Sequence, residues 1–346
     1  MNAIRFLFFQ GFLLFFLACG GDADPSSLFA IELEGNQSTF RQNESIGISV
    51  NNKKNKILHK VVYSIDEELM EVEDDRITLD IPSLGAKTLK ATVHFEEDTV
   101  EITKKIKVLA ASPPQIYTYE VINEYPHDIK AYTQGLEFHA DTLYESTGRK
   151  GTSWLRKVDF KTGEVLEQVD LDNSFFGEGI TILNNKIYQL TWRGRMGFIY
   201  DLNSFKKLNN FQYGKSKEGW GLTNDGKKLF KSDGTEKIWL LNPETLTEQG
   251  YIETVTNTSI FNKANELEYV DGKIYANVYQ KESMMIIDAI SGAIQGVVNF
   301  GGLKKRVTQH EALDVLNGVA YNPKTNTFFV TGKNWDKLFE VRILKK

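Results

Sequence analysis

The sequence predicts an all-β fold dominated by a five-bladed β-propeller, on the strength of three observations. A short phrase recurs five times after residue 130, at intervals of roughly 40 to 50 residues. Each copy continues with further short apolar segments separated by turns, and no long helical periodicity competes with them. Repeats of this length that hold four short strands are typical of propeller blades. The five phrases are Gln134-Gly135-Leu136, Glu178-Gly179-Ile180, Trp220-Gly221-Leu222, Asn265-Glu266-Leu267 and Asn317-Gly318-Val319.

The fifth copy contains only three strand-like segments before Lys346. The segment Tyr117–Asn123, just ahead of the first copy, alternates as a strand and can supply the missing outer strand. Pairing of the two ends of the chain would close the ring and remove an exposed sheet edge. We therefore expect five blades.

The residue that opens each phrase differs from copy to copy, whereas glycine follows it in four of the five copies. The innermost strands of a propeller surround its central channel, so we expect the five opening residues to form a ring at one mouth. Absent Cβ atoms at the glycines would let these strands approach closely. A second tier is expected four residues beyond the aromatic residue of each second strand. Its members are Gly148, Trp192, Gly234, Tyr279 and Lys333.

The 346 residues exceed what five blades require, so a second domain is expected. Residues 20–111 contain short alternating segments between turns, which favours an immunoglobulin-like β-sandwich. The propeller is assigned to residues 112–346. The stretch Ala110–Pro114 is the expected linker.

Residues 1–19 begin with a basic residue, Arg5, followed by an apolar run that is shorter than a bilayer span. The run ends at Cys19, the single cysteine, and resembles a bacterial lipoprotein signal in which that cysteine carries the lipid. We expect an exported, membrane-anchored lipoprotein of the cell envelope, periplasmic or at the surface. A plain secretory signal with an incidental cysteine is the alternative.

Composition narrows the function further. The net charge is -5 and the lysines are dispersed, so no basic face favours nucleic acid as a partner. The five histidines lack metal-ligand spacing, and neither a glycine-rich phosphate loop nor a Gly-x-Ser-x-Gly elbow occurs. We expect no metal and no cofactor.

Eight residues are candidates for chemistry, each with an ordinary structural alternative. Glu178 lies between two glycines next to aromatic residues, where a dry setting would raise its pKa and suit it to proton transfer; otherwise it is a solvated loop glutamate. Lys333 is either a donor to a developing negative oxygen or a surface lysine. The remaining candidates are substrate-binding amides and aromatic residues that could equally be packing residues: Gln134, Phe176, Trp192, Trp220, Asn265 and Tyr279.

Nine short motifs, in order and with their spacing, resemble plant-type glutaminyl cyclases, also called glutamine cyclotransferases. They are Tyr132-Thr-Gln-Gly-Leu136, Glu145-Ser-Thr-Gly148, Phe176-Gly-Glu-Gly179, Tyr188-Gln-Leu-Thr-Trp192, Gly219-Trp-Gly-Leu222, Ser232-Asp-Gly234, Asn265-Glu-Leu-Glu268, Leu316-Asn-Gly318 and Thr331-Gly-Lys333. The resemblance covers about residues 116–344.

The resemblance implies a five-bladed propeller that converts N-terminal glutamine of peptides or proteins to pyroglutamate and releases ammonia without a metal. It implies that Glu178 is the proton-shuttling residue. It also places five candidates in the substrate pocket, with Phe176 nearby: Gln134, Trp192, Trp220, Asn265 and Lys333. Lys333, together with neighbouring amide or indole donors, would stabilise the oxyanion. The family commonly has tryptophan where this chain has Tyr279, which keeps an aromatic surface.

Two other functions are compatible with the sequence. A calcium-dependent propeller lactonase or hydrolase could use oxygen ligands from Glu178, Asn265 and Asn317, although Trp220 interrupts that ring. A non-catalytic lipoprotein could use the propeller as a binding platform. Chelation would separate the first from a cyclotransferase, and release of ammonia from glutaminyl peptides would separate the second.

Overall fold

The computed structural model describes residues 25–346, so the predicted signal segment and Cys19 lie outside the described residues. Within this range the regular structure is β-strand apart from three 3₁₀ segments, at Pro25–Leu28, Glu34–Asn36 and Leu303–Arg306. None of these described helical segments is long and apolar enough to cross a membrane. The predicted all-β class is confirmed.

The first eight strands form two sheets that enclose one apolar core. The three-stranded sheet has the order β1-β3-β6, and the five-stranded sheet has the order β2-β8-β7-β4-β5. Side chains along β7 alternate between buried and less buried positions, as expected for a strand with one face on a core. The strands are β1 Phe29–Leu33, β2 Thr39–Arg41, β3 Ser45–Asn52, β4 Leu58–Ile65, β5 Glu68–Met70, β6 Arg76–Thr78, β7 Gly85–Phe95 and β8 Asp98–Leu109.

The remaining strands form five four-stranded blades. In the first four blades the chain runs from the innermost to the outermost strand. Strand β9 Gln115–Pro126 precedes them. The first blade contains β10 Thr133–His139, β11 Thr142–Thr147, β12 Trp154–Asp159 and β13 Glu164–Asp170, and the second contains β14 Gly177–Leu183, β15 Lys186–Thr191, β16 Met196–Asp201 and β17 Lys207–Gln212. The third blade contains β18 Leu222–Asn224, β19 Leu229–Ser232, β20 Lys237–Leu241 and β21 Glu248–Glu253, and the fourth contains β22 Ala264–Val270, β23 Lys273–Val278, β24 Ser283–Asp288 and β25 Ile294–Asn299. The fifth blade contains β26 Leu316–Asn322, β27 Thr327–Gly332 and β28 Lys337–Lys345, and it is completed by β9.

Strand β9 closes the ring, as the sequence predicts. It pairs antiparallel with β28, over partners from Tyr117 to Pro126. Its first residues, from Gln115, also pair in parallel with β25, so that the fourth and fifth blades form one eight-stranded sheet. The 12-residue strand therefore joins two blades rather than one.

The inner strands approach each other closely around the axis, also as predicted. A Cβ atom on Gly135 would lie 2.7 Å from the amide nitrogen of Ile180, and one on Gly179 would lie 2.6 Å from that of Leu222. Both distances are shorter than any normal contact, so only glycine fits these two positions without movement of the backbone.

Buried and half-buried carboxylates accept hydrogen bonds from backbone N–H groups on the edge of each inner strand that faces away from its own blade. Glu266 accepts from the N–H of Leu136 at 3.3 Å and from that of Val319 at 2.8 Å. Burial raises the pKa of Glu266 well above its ordinary range, and the two N–H donors oppose that shift. Glu137 and Glu268 accept in the same way from Ile182 and Tyr321.

The sandwich packs directly on the third and fourth blades. The Leu84 N–H donates to the Ser291 carbonyl at 3.0 Å, and the Ala86 N–H donates to Oε2 of Glu253 at 2.7 Å. Val255 and Ala293, which belong to the propeller, are buried in the core of the sandwich. The segment that follows Val255 leads into β22, which carries Asn265.

A buried ionic network links the ring closure to the first blade. Glu145 accepts from His127 Nε2 at 3.0 Å and from the guanidinium of Arg156 at 2.9 Å, and all three side chains are almost inaccessible to solvent. His127 Nδ1 also lies 2.7 Å from the carbonyl of Trp335 in the fifth blade. Burial alone would raise the pKa of Glu145, but the charges of Arg156 and His127 lower it to about 2.

Replacement of Glu145 by Gln should destabilise the fold by about 3 kcal/mol near neutral pH, because it leaves the Arg156 charge buried and poorly compensated. The lowered pKa means that Glu145 stabilises the fold above its ordinary value of 4.5, and that this contribution is lost as the pH falls toward about 2. The difference between wild type and variant should therefore shrink on acidification. Denaturant unfolding at several pH values measures it.

Glu120→Gln is the matched control, because it breaks the exposed pair with Arg342. It should change stability by no more than about 1 kcal/mol. An equal effect of the two substitutions, or a Glu145→Gln effect that does not change with pH, would contradict the assigned role of the network.

Candidate active site

A cavity of about 260 Å³ opens at the mouth of the channel where the inner strands begin. All eight sequence-predicted site residues line it: Gln134, Phe176, Glu178, Trp192, Trp220, Asn265, Tyr279 and Lys333. Three further lining residues were not among the predictions: Tyr132, Arg193 and Glu218.

Irregular strand pairing places the ring residues. In the pairing of β14 with β15 the register shifts between Gly177 and Ile180, the interval that contains Glu178. Corresponding shifts flank Gln134, Asn265 and Asn317 in their own blades. A bulge frees a residue from the ladder and redirects its side chain, which explains why Gln134, Glu178 and Asn265 face the mouth instead of a neighbouring strand.

Glu178 is buried with a single polar side-chain neighbour at hydrogen-bond distance among the described residues. Gln134 Nε2 donates to its Oε1 across a long 3.4 Å contact. Burial raises the pKa of Glu178 well above its ordinary range; the charge of Lys333 works against that shift, and the charge of Glu218 adds to it. The protonated form of this carboxyl is therefore favoured more than in a solvated glutamate.

Lys333 brings an ammonium group to the same cavity. Its Nζ lies 4.9 Å from the ring centre of Tyr132 and 5.6 Å from that of Tyr279, so the cation contacts aromatic faces. Burial lowers the pKa of Lys333, whereas the carboxyls of Glu178 and Asp314 oppose the shift. The lysine is 3% exposed, so the surface-lysine alternative is wrong.

Asn317 does not face the cavity, although the ring predicts that it would. Its Nδ2 donates to the Thr133 carbonyl at 3.0 Å and to Oε1 of Gln134 at 3.2 Å. The Gln134 amide is thereby oriented with its NH₂ group toward Glu178. Asn317 therefore positions Gln134 by a hydrogen bond and does not itself line the cavity.

Two aromatic pairs form the walls of the cavity. Ring centres are 5.4 Å apart for Phe176 and Trp192, and 5.2 Å apart for Trp220 and Tyr279. The second-tier glycines provide room for these rings. A Cβ on Gly148 would lie 2.2 Å from the Phe176 ring, and one on Gly234 would lie 2.5 Å from the Trp220 ring.

Glu218 fixes the two indoles. Its Oε2 accepts from the indole N–H of Trp192 at 2.8 Å and from that of Trp220 at 2.9 Å, and its Oε1 accepts from Nε of Arg193 at 3.0 Å. Burial alone would raise the pKa of Glu218, but these donors lower it. The expectation that indole donors serve the oxyanion is therefore wrong for this arrangement, because both N–H groups are already engaged.

A buried lysine braces the segment that carries Glu218. Lys231 Nζ donates to the Glu218 carbonyl at 2.9 Å and to Ser216 Oγ at 2.5 Å. Glu248 accepts from the N–H groups of Lys215 and Ser216. Burial lowers the pKa of Lys231 to about 8. The position of the Glu218 carboxylate is thus determined by the third blade.

The sequence contains one signal for Glu218 that the repeat does not use. Glu218 precedes Trp220 by two residues, outside both the ring and the second tier. A carboxylate so near a predicted pocket tryptophan is a possible acceptor for an indole N–H. Within residues 25–346, no group of three His, Cys, Asp or Glu side chains could hold a metal ion.

The fold and the cavity define a β-propeller with a buried carboxyl of raised pKa, an ammonium group and aromatic walls at the mouth of its channel. The sequence model of the glutamine cyclotransferase family matches residues 93–343. The chain belongs to this family.

Two relatives agree with this assignment. A glutaminyl-peptide cyclotransferase of Arabidopsis thaliana is 39% identical over 232 residues, which are 66% of this chain and 72% of the relative. The crystal structure of Myxococcus xanthus glutaminyl cyclase superimposes with a TM-score of 0.63 at 31% identity. That match covers 67% of this chain and 99% of the relative.

Replacement of Glu218 by Gln should raise KM, because a neutral amide cannot accept as strongly from two indoles and a guanidinium. It should also move the acid limb of the pH profile to lower pH, because the Glu218 charge contributes to the raised pKa of Glu178. Initial rates on a glutaminyl peptide between about pH 5 and 9 measure both effects.

Arg193→Gln is the control, since it removes the exposed ion pair and leaves both indole contacts to Glu218 in place. Its effect on KM should be the smaller of the two. A Glu218→Gln enzyme with unchanged KM and an unshifted profile would show that the carboxylate positions nothing.

Proposed function

We propose that the protein is a glutaminyl-peptide cyclotransferase that converts N-terminal glutamine of peptides or proteins to pyroglutamate and releases ammonia. The observation that carries the proposal is the placement of Glu178. It is a buried carboxyl with a raised pKa that faces an aromatic-walled cavity beside a neutral amide and a lysine. The family and both relatives support the same activity.

The reaction is intramolecular. The α-amine nitrogen attacks the γ-carboxamide carbon of the same glutamine, and a new N–C bond closes a five-membered ring. The old C–NH₂ bond then breaks, and the leaving group departs as ammonia. A cavity that holds the side chain folded back supplies most of what such a reaction needs, because the two reacting groups are already joined.

Glu178 moves the proton that this exchange requires. As a carboxylate it accepts a proton from the attacking amine, and as a carboxylic acid it returns the proton to the departing nitrogen. Both steps are favourable only if the pKa of Glu178 lies closer to neutrality than that of a solvated glutamate, which its burial provides. The Gln134 NH₂ group faces the same carboxyl and keeps it oriented.

Lys333 supplies positive charge for the oxyanion that develops on the carboxamide. The indole N–H groups are engaged by Glu218, so we assign this task to the lysine and the Asn265 amide. The aromatic walls exclude water, which would otherwise hydrolyse the carboxamide to glutamate. Tyr279 completes the wall against Trp220.

Replacement of Glu178 by Gln should reduce turnover by about 10²- to 10⁴-fold, the usual range for loss of a general acid–base group. Peptide binding should persist, since the walls and Lys333 are retained. Mass spectrometry of an N-terminal glutaminyl peptide, with a parallel assay of released ammonia, measures the reaction.

Glu244→Gln, which changes an exposed carboxyl in the turn between β20 and β21, should cyclise the peptide at the wild-type rate. Wild-type turnover in Glu178→Gln would sink the assigned role of Glu178. If the unmodified protein released no ammonia above background, the proposed activity itself would fail.

The proposed chemistry needs no metal ion. Full activity should remain after exhaustive dialysis against EDTA, followed by assay in metal-free buffer. A calcium-dependent lactonase or hydrolase would lose its activity under the same treatment and regain it with calcium. Loss and calcium-dependent recovery of cyclase activity would refute the metal-free scheme.

We also propose that the protein acts outside the cytoplasm as a lipid-anchored enzyme. Support comes from the sequence, where Arg5 and an apolar run precede Cys19. Its substrates would then be exported peptides or proteins with N-terminal glutamine.

A further inference from the structure

We propose that Arg149 forms an anion subsite at the mouth of the cavity and selects glutaminyl peptides whose second residue is acidic. The inference rests on the proposed cyclase function and adds a substrate class to it. The side chain lies just outside the cavity, after Gly148 at the end of the second strand of the first blade.

The guanidinium of Arg149 lies over a wall of the cavity. Its Cζ is 4.2 Å from the ring centre of Tyr132, which lines the cavity and also contacts Lys333. Neighbouring Gly148 is close to the acid–base centre, since a Cβ there would lie 2.9 Å from Nε2 of Gln134. Arg149 therefore lies immediately outside the residues that would bind the N-terminal glutamine.

Charge pairing distinguishes Arg149 from the other arginine at the mouth. Arg193 lies over Trp192 in the same manner, at 4.1 Å, but its Nε is paired with Glu218. Arg149 forms no ion pair with any carboxylate within residues 25–346. Its positive charge is therefore available to a ligand.

Arg149 has a strained backbone conformation, and hydrogen bonds within its turn stabilise that conformation. Its φ of 84° is in the left-handed region, which a residue with a side chain adopts with strain. The Arg149 carbonyl accepts from the N–H of Thr152 at 3.1 Å and from Ser153 Oγ at 2.8 Å. Ser153 Oγ in turn accepts from the N–H of Gly177, the residue before Glu178. The turn that presents Arg149 is thus connected to the catalytic strand.

The orientation of the bound peptide places the side chain of its second residue next to Arg149. When the N-terminal glutamine occupies the cavity, the peptide leaves through the mouth by the carbonyl of that residue. The side chain of the second residue is the first group outside the wall. A guanidinium matches the planar carboxylate of Asp or Glu and can donate two hydrogen bonds to it, whereas a lysine at that position of the peptide would be repelled.

The experiment compares kcat/KM for three tripeptide amides, Gln-Glu-Phe, Gln-Gln-Phe and Gln-Lys-Phe, which differ only at the second residue. The amidated C-terminus removes any other carboxylate. At low salt the wild type should prefer the Glu peptide over the Gln peptide by about three- to fivefold, as expected for an accessible ion pair. The preference should shrink in about 0.5 M NaCl, where screening is strong.

Arg149→Gln should bring the Glu-to-Gln ratio close to one and improve the Lys peptide relative to both. Lys150→Gln is the matched control, because it removes a neighbouring exposed charge from the same turn, and it should keep the wild-type ratio.

Equal rates for the three peptides in the wild type, or a preference that survives Arg149→Gln, would overturn the subsite while leaving the cyclase function intact. Equal loss of preference in Lys150→Gln would also overturn it, in favour of diffuse positive charge. If none of the peptides were cyclised, the proposed function would fail, and the subsite with it.

Discussion

The structure depends on how the innermost strand of each blade satisfies the backbone groups on its axial edge. That edge has no neighbouring strand of its own sheet, and buried N–H groups without partners are costly. Carboxylates of other blades take most of this role: Glu137 for Ile182, Glu266 for Leu136 and Val319, and Glu268 for Tyr321. The close approach of the strands at their glycines brings these acceptors within reach. Hydrogen bonds from these glutamate side chains to backbone N–H groups of other blades thus connect the blades of the scaffold.

The same constraint explains why Glu178 differs from the other buried glutamates. The pKa of each of these four carboxyls is raised, in every case with burial as the largest cause. Glu137, Glu266 and Glu268 accept backbone N–H groups and are committed to the scaffold. Glu178 sits in a bulge at the start of its strand, beyond the last such contact, and its side-chain neighbour is the 3.4 Å amide of Gln134. A carboxyl that accepts no backbone N–H group can change its protonation state without the loss of a hydrogen bond that connects two blades.

The repeat made most of the fold and site predictable, because one register assigns equivalent positions in all five blades. Gln134 and Glu178 could be placed together from spacing alone, and the closing strand followed from the incomplete fifth copy. The parallel pairing of β9 with β25 was not predictable, since it lies outside the repeat. Asn317 shows the limit of register, because its position was predicted correctly whereas the direction of its side chain depends on Thr133 and Gln134. Glu218 was missed because its role comes from the orientation of two indoles, which only the folded structure shows.

The two carboxyls of the cavity acquire opposite properties from opposite surroundings. Glu178 and Glu218 both line it, yet the pKa of Glu178 is raised and that of Glu218 is lowered. Burial is the main cause of the raised pKa of Glu178, which accepts only one long contact. Glu218 accepts from Trp192, Trp220 and Arg193, and these donors outweigh its burial. An ionised Glu218 in turn favours the protonated form of Glu178 through repulsion. Glu218, which orients the two indoles of the walls, therefore also adds to the raised pKa of Glu178, for which burial is the main cause.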